Sequence, residues 1–265
     1  MEEIQRWLMF SYWGSYLKED YMQVGLDVTE ILMKHWGMAR LLEGVAFNYD
    51  EGMEDIDSID KVRDEVLSDR DRYELYDVTF FNPTMTDEIY VNRLYVNDGM
   101  LRVEEYDDLK YFQTDDPAVN ERRTQELLVV FTDVASVPAI QELWMVNHDR
   151  TAFMGHPAYL YRPRPLYERV EDTLYTPKTK DEVARLVEEF KAHVPTEWVI
   201  DYLQDRLGAD AVQKMADGKI RVRFYDRVLT RSKVNTREFL CTFEKDVDQF
   251  CREKGVKLYK GEGFY

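Results

Sequence analysis

Apolar positions over residues 20–43 recur at helical spacing. Tyr21, Val24, Val28, Ile31, Leu32, His35, Ala39 and Leu42 fall three or four apart, which predicts one buried face, with Gly44 as the stop. Before it, the run from Trp7 to Trp13 is apolar on every side and predicts a buried element. So short a run does not separate strand from helix. Residues 50–72 are densely charged and predict a loop with a short exposed helix.

Alternation then takes over. Residues 76–81 end at Asn82-Pro83, and residues 88–96 meet Asn97-Asp98-Gly99 before Met100-Leu101-Arg102-Val103-Glu104-Glu105-Tyr106 returns. Asp-Gly between two such runs predicts a hairpin, because Gly accepts the positive φ of the turn. The apolar run 127–131 predicts a buried strand. Ser136 ahead of Val137-Pro138 predicts a capped short helix reaching Trp144.

Pro157, Pro163, Pro165 and Pro177 crowd into one stretch. Proline fixes φ and removes a donor, so a connector or sheet edge is expected there. Beyond it, Thr179 with Glu182 makes a capping box ahead of Val183, Leu186, Val187 and Phe190, and Val194-Pro195 ends that helix. Two shorter helices ending at Gly208 and Gly218 follow, then a strand over 219–225, a helix over 236–254 and a short strand over 256–259. The fold class is therefore α+β: an N-terminal helix, a hairpin-containing antiparallel sheet, and a helix-rich C-terminal part with a short sheet. The division expected is an acidic α+β domain over 1–150, a Pro-rich connector over 151–178, and a helix-rich subdomain with a basic strand over 179–265.

Charge sharpens this picture. Residues 1–149 hold 33 acids and 13 bases, whereas residues 150–265 hold 19 acids and 22 bases. The acidic half favours basic partners and argues against direct nucleic-acid binding there. Within it, Glu104, Glu105, Asp107, Asp108, Asp115 and Asp116 interleave with Tyr106, Tyr111 and Phe112. Spaced carboxylates with aromatic anchors suit a protein interface, which makes Glu104, Glu105, Tyr106, Asp107, Asp108, Tyr111, Asp115 and Asp116 the candidate partner-binding set.

The opposing base lies on the strand from Lys219. Ile220, Val222 and Phe224 alternate with Lys219, Arg221 and Arg223, so the apolar set is expected to face a core and the basic set the other side. With Arg227 and Arg231 these form a candidate anion-binding patch, Lys219, Arg221, Arg223, Arg227 and Arg231. A solvated sheet face, or pairing with the acidic half of another copy, is the alternative.

Motifs that fix a chemistry are lacking. Asp55 and Asp57 near Asp60 resemble metal-binding carboxylates, but an EF-hand register fails because Asp60 falls where Gly is required. Asp108 with Lys110 has a nuclease-like spacing that a chain this charged supplies by chance. His35, His148, His156 and His193 are scattered, and His35 fits a satisfied core histidine. There is no P-loop, nucleophile elbow or dinucleotide fingerprint, so no cofactor and no metal is implied. The run 198–216 could mimic a helix-turn-helix, with poor equipment for reading bases. Arg162-Pro163-Arg164-Pro165 could occupy a polyproline groove, though a connector suits it better.

Met1-Glu2-Glu3 is unlike the basic start of a signal peptide, and Cys241 and Cys251 form no CxxC. A cytoplasmic location is expected. Three functions are expected in descending order. The first is a non-enzymatic acidic protein, of inhibitor, immunity or anti-defence type, covering a basic surface. The second is a homo-oligomer built from acidic-to-basic contacts, and the third a metal-dependent enzyme on a phosphorylated small molecule held by Arg221, Arg223 and Arg227.

Overall fold

The computed structural model describes residues 7–16, 21–36, 41–47, 60, 63–64, 75–80, 92–97, 100–108, 116–149, 153–161, 181, 194–224 and 236–254. Among them the α+β class holds, with four helices and a nine-stranded antiparallel sheet. The elements are β1 (Trp7–Tyr16), α1 (Tyr21–Trp36), β2 (Leu41–Phe47), β3 (Leu75–Phe80), β4 (Asn92–Asn97) and β5 (Met100–Asp108). They continue with α2 (Pro117–Ala135), β6 (Ile140–Asp149), β7 (Phe153–Tyr161), α3 (Thr196–Leu207), β8 (Val212–Lys214), β9 (Ile220–Val222) and α4 (Thr236–Glu253).

The strand order is β2-β3-β4-β5-β1-β6-β7-β9-β8. The undecided run 7–13 is thus the central strand, paired with β5 on one edge and β6 on the other. A strand enclosed in this way tolerates apolar residues in both phases. The hairpin forms as expected, with Asn97 opposite Met100 across the two-residue loop.

One sheet face is covered by α1 and α2. Val78, Leu94, Val96, Leu101, Val103, Leu143 and Met145 meet Met22, Val28 and Leu32 of α1 and Leu127, Phe131 and Val134 of α2 in a first core. The opposite face, at the β6–β9 end, carries a second core of Ile220, Val222 and Phe224 with Val199, Leu203, Phe239 and Phe243. Trp144 packs against it, one residue out of phase with Leu143 and Met145, as strand alternation requires.

Several expectations are corrected. Residues 127–131 lie inside α2, not in a strand. Asn120 and Thr124 are buried on the same side as Leu127, Leu128 and Phe131, so the helical period extends back through two polar residues that hide it. Val129 points out, half exposed. Asp116 is the N-cap, its carboxylate accepting from the Ala118 N–H at 2.9 Å, with Pro117 at the first helical turn. Ser136 closes α2 instead of opening a helix, and residues 140–149 are β6.

The first helix ends at Trp36, and Gly44 sits within β2 opposite Val78. The second C-terminal helix is a single 3-10 turn, Ala209–Ala211, followed by β8, so no helix-turn-helix exists there. Gly208 and Gly218 take φ of 97° and 84°, which halts α3 and turns the chain from β8 into β9. Residues 153–161 of the expected connector form β7. The β6–β7 register shifts between Met145 and Asn147, and Pro157 falls within that bulge, where a missing donor is tolerated. The helix from Thr179, the strand over 256–259, Pro163, Pro165 and Pro177 lie outside the described residues. Among the described residues no helix is long and apolar enough to cross a membrane.

Candidate functional site

Pleating divides the candidate acidic set. Leu101, Val103 and Glu105 share the helix-covered face of β5, while Met100, Arg102 and Glu104 share the other. Glu105 is therefore 2 % exposed and does not belong to a partner surface. Its carboxylate accepts from Arg123 Nη2 of α2 at 3.0 Å, and Arg123 also donates to Glu126 at 2.9 Å. Asp116 is exposed but serves as the α2 cap. Glu104 contacts Arg102 on its own strand. The backbones of Tyr106, Asp107 and Asp108 lie in β5 opposite Met9, Leu8 and Trp7, and their side chains are outside the described set. Tyr111 and Asp115 lie outside it altogether.

The basic strand also departs from a solvent-facing patch. Ile220, Val222 and Phe224 are buried as alternation requires, but the opposite face of β9 is covered by the end of α2. Lys219 is fully buried and is not available to an anion in solvent. Its ammonium donates to Ala135 O at 2.5 Å and Val137 O at 3.4 Å, and pairs with Asp217 at 2.8 Å. This is a cation at the negative end of a helix, where unpaired carbonyls collect. Arg221 donates to Thr132 Oγ1 at 2.8 Å. Burial, and then the charge of Arg223, lower the pKa of its guanidinium. Arg223 reaches Glu121 at 3.9 Å, and Arg227 and Arg231 lie outside the described residues.

The last turn of α2 is gripped from its other side as well. His35 Nε2 of α1 lies 2.6 Å from Asp133 Oδ2, so His35 is a satisfied, half-buried histidine. His148 and His156 fall on paired strands β6 and β7, with only their backbones described. His193, Asp55, Asp57 and Lys110 lie outside the described residues. Asp60 is helical and exposed, 3.4 Å from Arg63. Among the described residues no group of three or more His, Cys, Asp or Glu is placed to hold a metal.

A groove absent from the sequence expectations lies on the face of β4 and β5 turned away from α1 and α2. Arg93, Tyr95, Met100, Arg102 and Glu104 line about 260 Å³ of half-open space. Arg93 is directly opposite Glu104, and Tyr95 directly opposite Arg102. The Arg93 guanidinium carbon stands 6.0 Å from the Tyr95 ring centroid. The cross-strand row through Tyr95 runs on in register from Asp77 of β3 through Arg102, Trp13, Trp144 and Tyr159 to Val222 of β9. Tyr95 and Arg102 of that row line the groove, and Trp144 and Val222 belong to the second core. The signal was legible: Asn97-Asp98-Gly99 sets the register, and alternation then pairs Arg93 with Glu104.

No protein-family model matches the chain. A search of curated proteins likewise finds no match. Among solved structures, the Pseudomonas aeruginosa T6SS protein PA0821 is similar at 10 % identity and a TM-score of 0.44, over 87 % of this chain and 70 % of that one. A likeness so slight carries no statement about function.

Proposed function

We propose that the chain is a non-enzymatic, protein-binding protein whose acidic first half engages a basic surface of a partner protein. The observation that carries this reading is the inward turn of Lys219 and Arg221 onto α2. These cations serve the internal packing of the chain. Among the described residues, they leave the large acidic excess of residues 1–149 without a matching exposed strand of base. Glu30, Glu121 and Glu126 of the helical layer are half exposed and each pairs with an arginine, Arg63, Arg223 and Arg123 respectively, so their charge reaches solvent only in part. A field of this sign raises encounter rates with basic proteins and discriminates against acidic ones. The same inward turn takes Lys219 out of the basic patch that an acidic-to-basic contact between copies would use.

The test is affinity capture with the full chain from the source cell at about 0.05 M and 0.5 M salt, across which surface interactions become strongly screened. The expected outcome is a basic partner whose retention drops with salt and drops again in a Glu121→Gln/Glu126→Gln variant. Retention of an acidic partner, salt-independent retention, or no retention overturns the reading.

A further inference from the structure

We infer that the second core unfolds as a unit, α3, β8, β9 and α4 together, while the first core stays folded. The two cores are built from separate lengths of chain. Buried residues of the first run from Met22 to Met145, and those of the second from Val194 to Val247. Apolar packing crosses between them at Trp144, which reaches the second core, and at Met215, which reaches the first. A contiguous segment with a core of its own is the kind of unit that opens sub-globally.

Cations hold the seam between them. Lys219 donates to Ala135 O at 2.5 Å and Val137 O at 3.4 Å, Arg221 donates to Thr132 Oγ1 at 2.8 Å, and Arg223 stands 3.9 Å from Glu121. Beside them β9 joins the main sheet through Tyr159 with Val222, Leu160 with Arg221 and Tyr161 with Ile220. Dependence across this seam runs one way. Strand β9 needs the edge of β7, and Lys219 needs the carbonyls at the end of α2, whereas water can solvate those carbonyls once Lys219 leaves. Closing the seam also desolvates Lys219 wholly and Arg221 in part, and Arg223 adds like charge beside Arg221. Opening relieves both costs, so unfolding of the second core meets less resistance than an apolar seam of the same extent would give. The opened state presents to solvent two cations, Lys219 and Arg221, that the closed chain withholds.

The experiment is native-state amide exchange of the full chain, under conditions where the rate reports the opening equilibrium. In the parent, the slowest amides of α3 and α4 are expected to share one opening constant, larger than that of α1 and α2. Lys219→Met should raise the α3 and α4 constant about thirtyfold, and Thr132→Val, which removes the acceptor of Arg221, about tenfold, the scale of hydrogen bonds to a charged group. Val28→Ala, deep in the first core, should accelerate α1 and α2 and leave α3 and α4 within about twofold of the parent, because the first core is intact in both states being compared. One opening constant across both cores in the parent overturns the inference. So does acceleration of α3 and α4 by Val28→Ala to the extent seen in α1 and α2, or their indifference to both seam variants.

Discussion

Replacing Lys219 by Met tests whether β9 fastens the C-terminal end of α2. The two side chains are close in length, so packing is nearly conserved and the ammonium is the main loss. Three acceptors then lack it: Ala135 O, Val137 O and the Asp217 carboxylate. A hydrogen bond involving a charged group contributes about 1.5–3 kcal/mol net. The 3.4 Å contact adds little, and Asp217, one-third exposed, recovers hydration when released. Relief of the buried ammonium's desolvation offsets a further part. We therefore expect about 2–3 kcal/mol of destabilisation, below the roughly 3–5 kcal/mol of breaking a fully enclosed pair. Urea unfolding followed by far-UV circular dichroism reads this as a lower midpoint at unchanged slope. Adding Asp217→Asn to Lys219→Met should cost less than the sum of the two single changes, because the pair is already broken. A Lys219→Met midpoint within about 0.5 kcal/mol of the parent, the range of a surface substitution, would refute the clamp.

Three further outcomes are expected. Arg123→Met strips the guanidinium from buried Glu105 and should cost about 3 kcal/mol, with much of it recovered in Arg123→Met/Glu105→Leu; full additivity in a double-mutant cycle would refute the pairing. Val129→Ser should stay within about 0.5 kcal/mol of the parent while Phe131→Ala costs about 3–5 kcal/mol, since the helix turns one outward and the other inward; comparable losses would indicate a strand phase. Burial first, and then donation to Asp246 Oδ2 at 2.5 Å, push the Tyr202 phenol well above its usual range. The folded chain then holds a proton that the unfolded chain releases near pH 10, so this contribution is complete below about pH 10 and declines above it. Tyr202→Phe should lower stability by about 1 kcal/mol at pH 7 and flatten the loss between about pH 9 and 11; an unchanged alkaline slope would refute it.

What could be seen in the sequence followed how far each residue's partner lies along the chain. The hairpin that pairs Asn97 with Met100, the alternation of β4 and β5, and the apolar triad Ile220, Val222 and Phe224 are local patterns, and all reappear in the structure. The α2 helix is hidden in the sequence because two buried polar residues, Asn120 and Thr124, interrupt its apolar period, although Asp116-Pro117 carries a start signal. Two charges of the candidate sets, Glu105 and Lys219, are buried for a different reason. Glu105 and Lys219 read as surface charges because charge is usually solvated, yet Glu105 occupies the phase of β5 that faces α2, and Lys219, just ahead of β9, reaches the end of the same helix. For Glu105 the warning was present, because Leu101 and Val103 occupy the same phase. For Lys219 there was no such warning, since only the placement of a helix 84 residues away covers that face of β9. Alternation thus tells which charges share a face but not which face is wet. A buried ion that closes a distant contact is indistinguishable from a solvated patch until the tertiary partner is known. The groove is the converse case: Arg93, Tyr95, Arg102 and Glu104 are contiguous in a hairpin whose register the turn dictates, so their meeting needed no distant element.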